Sequence, residues 1–181
     1  TVIVVEEMTR TNHCGLSARL HSSVVVPYIT AYATEEQKRH YLPRCVSGDC
    51  ITAIAMSEPQ AGSDLAAIRT TAVEEGDAFV LNGQKTFISN AINGDLFVVA
   101  ARDPAEGDSH AAIDLYLVES KTPGFEKGKR LDKIGWRSQD TAELFFTDCR
   151  IPRGNRLGGK GSGFLKLMRN LQPERLGLAV S

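Results

Sequence analysis

The sequence has few cysteines and no excess of either charge, and both shortages limit what the protein can be. Its four cysteines, Cys14, Cys45, Cys50 and Cys149, form no C-x-x-C pair, and a small disulfide scaffold needs a denser set. We therefore expect reduced thiols and a cytosolic or matrix-like compartment. The formal net charge is −1 over 181 residues. Because acidic and basic residues are interspersed, no basic stripe favours nucleic acid and no acidic tail favours a solvating arm.

Long apolar runs are also missing, since no stretch approaches the about 20 residues that a membrane span needs. Internal repeats and low-complexity tracts are absent from the sequence as well. The chain is 42% hydrophobic, which is enough to bury a core in one or two domains. It starts without Met in a helix-like stretch and stops inside an apolar-periodic one. We therefore expect an internal fragment of a longer protein.

Hydrophobic periodicity divides the chain into three parts. Residues 1–50 have helical spacing, and Thr34 followed by Gln37 predicts a capping box at a helix start. Residues 51–150 read as short β-rich runs separated by polar turns. Residues 151–181 regain the helical period, with Pro173 predicted at the first position of a new helix. This order of helices, strands and helices predicts an α+β fold.

The middle part contains six runs with strand-like composition. They are Ile51–Met56, Thr70–Val73, Phe79–Leu81, Leu96–Ala100, Ile113–Val118 and Glu143–Phe146. Turn signals such as Asn82-Gly83 and Thr122-Pro123-Gly124 separate them. Many short strands joined by polar turns indicate a β-barrel or a β-sandwich.

Two segments about two dozen residues apart combine a strand-like run with small polar residues. The first is Ile54-Ala55-Met56-Ser57-Glu58-Pro59-Gln60-Ala61-Gly62-Ser63-Asp64, and the second is Asn82-Gly83-Gln84-Lys85-Thr86-Phe87-Ile88-Ser89-Asn90. Small residues let a flat cofactor approach the backbone, and hydroxyl groups can hydrogen-bond to a heteroaromatic ring. Taken alone, the first segment also has the composition of an ordinary surface turn.

A third segment, Ile134-Gly135-Trp136-Arg137-Ser138-Gln139-Asp140-Thr141-Ala142-Glu143-Leu144, follows these two. Glu35-Glu36-Gln37 precedes them and Gln172-Pro173-Glu174-Arg175-Leu176 comes last. In this order the segments resemble the acyl-CoA dehydrogenase family, especially its long-chain members, over essentially the whole chain. The resemblance implies a central antiparallel β-barrel flanked by helical segments. Residues 1–50 would end an N-terminal helical domain, 51–150 would form the flavin and acyl-CoA barrel, and 151–181 would connect to a truncated C-terminal helical domain.

The resemblance implies FAD as the cofactor. Ser57 would hydrogen-bond the isoalloxazine, and Ser63 would contact the thioester ligand. Phe87 stands where many members have a Trp that stacks on the ring, and this departure from Trp also occurs in long-chain relatives. For a single aromatic residue, ordinary strand core is the alternative. The implied cofactor-binding residues are Ile54, Ala55, Met56, Ser57, Glu58, Pro59, Gln60, Ala61, Gly62, Ser63, Phe87, Ile88 and Ser89.

Glu174 matches the catalytic base of the long-chain and isovaleryl branches. The implied reaction is α,β-dehydrogenation of a fatty acyl-CoA to trans-2-enoyl-CoA, with the α-proton going to Glu174 and the β-hydride to FAD. An acidic residue in a first helical turn, favoured by the helix dipole, is the plainer reading. A base needs burial to raise its pKa against that dipole. The implied substrate-binding residues are Ser63, Ser109, His110, Leu165, Gln172, Pro173, Glu174 and Arg175.

The resemblance also implies partners: electron-transfer flavoprotein as electron acceptor and a homotetramer in the bacterial cytoplasm or the mitochondrial matrix. The missing part would complete the FAD site, so we expect the isolated chain to bind FAD poorly. An acyl-CoA oxidase or flavin monooxygenase of the same fold, which uses oxygen directly, remains an alternative. A catalytically inactive binding or assembly module is another.

Two weaker patterns are set aside. The run from Gly154 to Lys160 resembles a phosphate-binding loop, but Gly161 stands where Ser or Thr must reach Mg²⁺. We expect a connector there. The histidines and cysteines lack zinc spacings, so no metal site is expected. Arg137 and Asp140 are candidates for holding domains or subunits together, or for an ordinary surface pair.

Overall fold

The computed structural model describes residues 2–11, 19–107 and 110–179. The α-helices in these ranges are α1 (Val2–Arg10), α2 (Val26–Tyr32), α3 (Glu35–Ser47) and α4 (Gly163–Leu178). The strands are β1 (Thr52–Ala55), β2 (Thr71–Glu75), β3 (Ala78–Ser89), β4 (Leu96–Arg102), β5 (Ile113–Glu119), β6 (Phe125–Arg130) and β7 (Thr141–Pro152). A π-helical stretch, Leu20–Val25, leads into α2. Single 3₁₀ turns lie at Leu65–Ala67, Pro104–Glu106, His110–Ala112 and Arg153–Asn155.

The start of α3 confirms the predicted capping box. The Gln37 backbone N–H donates to Thr34 Oγ1 at 3.2 Å, and the Thr34 N–H donates to Gln37 Oε1 at 2.9 Å. Two of the N–H groups that a helix start leaves without an intrahelical partner are thereby satisfied. The helix ends at Gly48, whose φ of +87° lies in the left-handed region that glycine adopts without a Cβ penalty.

The start of α4 overturns the prediction made for Pro173. The helix runs without a break from Gly163 to Leu178, so Pro173 lies inside it and does not begin a new one. The start is fixed at a distance in sequence, because the Asp114 carboxylate accepts the backbone N–H groups of Gly161, Ser162 and Gly163. Proline inside the helix removes one backbone hydrogen bond, and burial of Leu167 on the same helix stabilises α4 against that loss.

Each of the six predicted strands overlaps a β-strand of one sheet, although Ile51, Met56 and Thr70 lie just outside β1 and β2, and β6 is an additional strand. β4 pairs with antiparallel β5 on one side. On its other side β4 pairs in parallel with β1 and then with the first residue of β2. β3 joins β2 to β7, and β6 pairs with β7, all antiparallel. The α+β prediction is confirmed. The sheet is mixed rather than wholly antiparallel, because β1 and β4 pair in parallel and the β2–β3 hairpin lies between them in sequence.

Two apolar clusters lie on opposite faces of the sheet. Side chains alternate along β4: Phe97 and Val99 belong to the cluster enclosed by the curled sheet, and Val98 belongs to the cluster facing the helices. Strands β1, β4 and β5 are therefore buried on both faces, which explains their nearly continuous apolar sequence. The helix-facing cluster contains Tyr28 of α2 and Leu167 of α4. Both helices therefore pack on the same face of the sheet.

No helix in the described ranges has the length and apolar character required to span a membrane.

Candidate functional site

The two candidate flavin segments are in direct contact. The Thr86 backbone N–H donates to the Ser57 carbonyl at 2.9 Å. Next to this bond, Lys85 Nζ donates to the Met56 carbonyl at 3.0 Å and to Glu58 Oε1 at 2.7 Å. Residues that lie about 30 positions apart therefore form one surface, as the sequence interpretation requires.

The first segment folds into a tight turn after β1. Glu58 and Ala61 exchange two backbone hydrogen bonds, of 2.9 and 3.0 Å. The buried Glu58 carboxylate also accepts the backbone N–H groups of Arg69 at 2.6 Å and Thr70 at 3.0 Å, together with the Gln60 side chain at 2.5 Å. One carboxylate thus fixes both ends of the loop that carries Gly62 and Ser63.

The ion pair between Lys85 and Glu58 is almost wholly removed from solvent, with side-chain exposures of 0% and 2%. Burial lowers the pKa of Lys85 to about 8, against the attraction of Glu58. Burial alone would raise the pKa of Glu58, but the Lys85 ammonium and the hydrogen bonds from Thr70 and Arg69 hold it below its usual value. Both groups are therefore charged near neutral pH, and each compensates the other.

Phe87 occupies a β-bulge in β3. The register between β3 and β7 shifts between Lys85 and Ile88, so Thr86 and Phe87 together face one residue of β7. Phe87 has φ +57°, which is uncommon for a residue with a large side chain. The residue is 71% exposed, so it is not ordinary strand core. Bulges of this kind re-aim side chains near functional sites, and this one turns an apolar ring outward.

The other residues of the two segments differ in burial. Ser57 and Ser89 are half-buried, whereas Ser63 and Gly62 are exposed. A Cβ added to Gly62 would meet open space, so the turn presents a low surface there. Ile54, Ala55, Ala61 and Ile88 are buried in the cores, and half-buried Met56 packs against the cluster that contains Tyr28. An exposed apolar ring beside small residues and two hydroxyls fits one side of a flat heteroaromatic cofactor.

The third segment is tied to the second through Asp140. This buried carboxylate accepts the Ile92 backbone N–H at 2.6 Å and the Asn93 side chain at 3.0 Å. The Asp140 carbonyl accepts the Asn90 N–H at 3.3 Å. Asn90 in turn donates its side-chain amide to the Thr52 carbonyl of β1 at 3.0 Å. All three motif segments therefore form one connected hydrogen-bonded structure.

Arg137 does not share that role. Its Nε donates to the Lys133 carbonyl at 3.1 Å. It lines a cavity of about 240 Å³ whose other lining residues are Arg130, Leu131, Asp132 and Lys133. None of the described candidate site residues lines this cavity, and we assign it no role in the site.

Glu174 is half-buried on the face of α4 that packs against the N-terminal helices. Its Oε1 accepts a hydrogen bond from the Tyr28 hydroxyl at 3.2 Å. Arg19 Nη2 donates to the Glu174 carbonyl oxygen at 2.9 Å. Burial raises the pKa of Glu174 to about 7, against the opposing effects of the Tyr28 hydrogen bond and the Arg19 charge. A carboxylate with this pKa can accept a proton from a weak carbon acid near neutral pH.

The other candidate substrate residues of α4 lie elsewhere on the helix surface. Leu165 precedes Glu174 by about two and a half turns and therefore lies on the opposite face. Gln172, Pro173 and Arg175 are exposed. The structure thus separates Glu174, which faces α2, from Leu165 and Gln172 on the outer surface of the helix.

The loop before β5 holds two more candidates. His110 stacks on Phe164 of α4, with ring centroids 4.1 Å apart and an angle of 14° between the ring planes. The His110 ring therefore lies near the start of α4, because its partner Phe164 immediately precedes Leu165. Ser109 lies outside the described residues.

The phosphate-loop reading of the connector fails on charge. The backbone N–H groups of Gly161, Ser162 and Gly163, at the end of this connector, already donate to the Asp114 carboxylate. The negative charge of Asp114 would repel a second anion there. Among the described residues no group of three or more His, Cys, Asp or Glu side chains is placed to hold a metal ion.

Three contributors to the site were not identified from the sequence: Lys85, Asn90 and Tyr28. Lys85 and Asn90 lie inside the second motif, but nothing local shows that Lys85 reaches the first segment or that Asn90 reaches Thr52 of β1. Tyr28 has the helical spacing of a core residue, which hides its hydroxyl contact with Glu174. Only its position in the folded molecule separates it from an ordinary core aromatic.

Comparison with known proteins agrees with this geometry. Residues 53–149 match the family described as "Acyl-CoA dehydrogenase, middle domain", and residues 1–49 match "Acyl-CoA dehydrogenase, N-terminal domain". The chain is 48% identical over 178 residues to the mitochondrial long-chain specific acyl-CoA dehydrogenase of Sus scrofa, covering 98% of the chain and 41% of that protein. It is 41% identical over 180 residues to the mitochondrial isovaleryl-CoA dehydrogenase of Pongo abelii, covering 98% of the chain and 43% of that protein.

A solved structure supports the same assignment. The crystal structure of an acyl-CoA dehydrogenase from Geobacillus kaustophilus superposes with a TM-score of 0.95 at 51% identity, over 99% of this chain and 47% of that one. The chain therefore spans less than half the length of the relatives that it matches. On the family matches and these identities, the chain belongs to the acyl-CoA dehydrogenase family.

Proposed function

We propose that this chain is part of an FAD-dependent acyl-CoA dehydrogenase that converts a fatty acyl-CoA to the trans-2-enoyl-CoA. The observation that carries the proposal is Glu174, a half-buried carboxyl group whose pKa is raised to about 7, within the Glu174-Arg175-Leu176 motif. Membership of the family supports the reaction class. Because the chain covers only part of its relatives, the activity is proposed for the whole protein.

Glu174 would act as the general base. The α-carbon of a thioester is a weak acid, so its proton moves only to a base whose pKa is close to the working pH. Burial gives Glu174 that pKa, while the Tyr28 hydroxyl and Arg19 keep part of it ionised. The proton from the α-carbon is then held on the Glu174 carboxyl oxygen, and the electron pair left behind forms the double bond as the β-hydride departs.

The residues of the two flavin segments would hold FAD on one side. Ser57 would hydrogen-bond the ring, and the exposed Phe87 would provide an apolar contact. Ser89 lies beside them on β3, and Ser63 on the exposed loop would contact the thioester. The chemistry that FAD supplies when bound is acceptance of the hydride from the β-carbon. The chain's own residues position that acceptor and exclude water from one face.

The other substrate contacts are likewise proposed: Ser109, His110, Leu165, Gln172, Pro173 and Arg175. We also propose a division into a helical domain (residues 1–50), a β-domain (51–150) and a connector with the next helix (151–181); the two family matches, over 1–49 and 53–149, support the first two parts. Electron-transfer flavoprotein as acceptor, a homotetrameric assembly, and a bacterial cytoplasmic or mitochondrial matrix location are likewise proposed. Mitochondrial and bacterial relatives both support that choice of compartment.

Anaerobic reduction tests the proposed reaction. The purified flavin-loaded protein is mixed without oxygen with acyl-CoA thioesters of increasing chain length, and the flavin absorbance is followed. Loss of the oxidised flavin band and formation of the 2-enoyl-CoA are expected. If no thioester bleaches the flavin, the dehydrogenase assignment fails.

Admitting air then separates a dehydrogenase from an oxidase. Slow reoxidation in air and fast reoxidation by electron-transfer flavoprotein are expected for the proposed function. Rapid reoxidation by oxygen with release of hydrogen peroxide would instead identify an acyl-CoA oxidase.

A further inference from the structure

A buried hydroxyl contacts the proposed base from the neighbouring helix. Tyr28 of α2 is fully buried, and its hydroxyl lies 3.2 Å from Glu174 Oε1. The two residues are 146 positions apart, so the contact exists only because α2 and α4 pack against the same core cluster. A phenol in this position can donate one hydrogen bond to an ionised carboxylate.

We propose that Tyr28 is a positioning residue for Glu174, whose hydroxyl fixes the carboxylate on the α2 side of α4 and stabilises its ionised form. This inference rests on the proposed function, in which Glu174 must be ionised to accept a proton. A hydrogen bond from a neutral donor to a carboxylate favours the charged form over the protonated one. It also restricts the side-chain rotamers of Glu174, which would otherwise be free at the edge of the core.

The other groups that face Glu174 act in known directions. Arg19 is the charged neighbour: it donates to the Glu174 backbone carbonyl, and its positive charge lowers the pKa of the carboxyl group. Asn170, one turn earlier on α4, faces the Tyr28 hydroxyl. Burial is the largest influence on Glu174 and acts in the opposite direction. Tyr28 and Arg19 thus set how far burial raises the pKa.

The Tyr28 hydroxyl could simply complete the packing between α2 and α4, and replacement by Phe separates the two roles. Tyr28→Phe keeps the ring and removes only the hydroxyl, so core packing is preserved. Tyr32→Phe is the matched control, because Tyr32 lies one turn along α2 with its ring centroid 6.2 Å from that of Tyr28. The hydrogen bond to Glu174 comes from Tyr28.

The first test is the pH profile of kcat/KM for the flavin-loaded protein from about pH 5 to about pH 9, which reports the pKa of the free enzyme's base. Loss of the hydrogen bond should move the acidic limb of Tyr28→Phe to higher pH by about 0.5 to 1 unit. This lowers kcat/KM about 3- to 10-fold more on that limb than on the alkaline plateau. Tyr32→Phe should match the wild type. A purely structural role would lower the whole profile evenly and would overturn the proposal.

The second test does not depend on turnover. The infrared carbonyl band of protonated Glu174 is identified by its absence in Glu174→Gln and is titrated in the wild type and in Tyr28→Phe. The band should persist to higher pH in Tyr28→Phe. An unchanged titration would overturn the role of Tyr28. A shifted titration with an unshifted kcat/KM profile would support Tyr28 as a positioning residue and would refute Glu174 as the base.

A fluorinated tyrosine at position 28 keeps the test decisive if Tyr28→Phe does not fold. 3-Fluorotyrosine retains the hydroxyl and makes it a stronger donor, so the Glu174 titration should move to lower pH, opposite to the effect of Phe. A shift in the other direction, or none, would contradict the proposal.

Discussion

Lys85 Nζ lies 2.7 Å from Glu58 Oε1, and together the two side chains are almost completely excluded from solvent. Each comes from a different candidate flavin segment, and Lys85 also donates to the Met56 carbonyl. Beside this ion pair, the Thr86 N–H donates to the Ser57 carbonyl. The ion pair and this hydrogen bond together set the spacing between the two segments. Replacing one partner of such a buried ion pair is costly, because the other charge then stays buried without compensation.

Lys85→Met should therefore destabilise the protein strongly. The substitution leaves the Glu58 carboxylate buried without its countercharge, and such losses typically cost about 3–5 kcal/mol. Urea unfolding measures the change in the free energy of unfolding. Glu75→Gln is the control, because the Glu75–Arg150 pair has a similar distance of 2.9 Å but both side chains are more than half exposed. The control should change stability by no more than about 1 kcal/mol, and equal effects of the two substitutions would refute this account.

Gly163→Ala should destabilise the start of α4. An added Cβ would lie 2.5 Å from the Ile113 carbonyl oxygen, against the backbone of β5. The helix and the strand must then separate, at a cost of about 1–3 kcal/mol. Gly154→Ala is the matched control, since a Cβ there would meet no atom within 4 Å. Thermal unfolding of the two variants should show a clear fall for Gly163→Ala and little change for Gly154→Ala; tolerance of both would contradict the close approach.

Stability should depend on pH through Glu174. The folded-state pKa of about 7 lies above the ordinary value of 4.5, so the folded protein binds this proton more tightly than the unfolded chain does. The stability contributed by Glu174 is therefore complete below about pH 4.5 and is lost as the pH rises through about 7. Subtracting the unfolding free energies of Glu174→Gln from those of the wild type at each pH isolates this change. A difference that is flat across that window would show that the pKa is not raised.

The isolated 181-residue chain should retain little FAD. The two flavin segments are in contact, and Phe87 is largely exposed, at 71%. The ratio of flavin absorbance to protein absorbance after gel filtration measures retention. We expect far less than one flavin per chain. Stoichiometric yellow flavin would show that these residues alone are sufficient for binding.

The sequence predicts the fold where the pattern is local. Alternation and turn residues locate six strands, and the Thr34–Gln37 capping box is confirmed. β6 was missed because Phe125–Arg130 is mostly charged and pairs with β7 through its backbone. Pro173 was misplaced because the start of α4 depends on Asp114, about 50 residues away. Contacts between distant residues leave no local signal.

The same limit applies to the site. The motif segments could be recognised as strings, and their contact through Ser57 and Thr86 agrees with that reading. The role of Lys85 depends on a partner 27 residues away, and that of Tyr28 on a partner 146 residues away. The bulge at Phe87 depends on the register with β7. Periodicity reports which face is apolar, not which polar groups meet.

Glu174→Gln in the flavin-loaded protein tests the central claim most directly. Rapid anaerobic mixing with acyl-CoA gives the rate of flavin reduction, with Glu36→Gln, an exposed glutamate of α3, as the control. Removing a general base should slow flavin reduction on the order of 10²- to 10⁴-fold, while flavin content and thioester binding are retained and Glu36→Gln reduces at the wild-type rate. Flavin reduction by Glu174→Gln at the wild-type rate would contradict the assignment of Glu174 as the base.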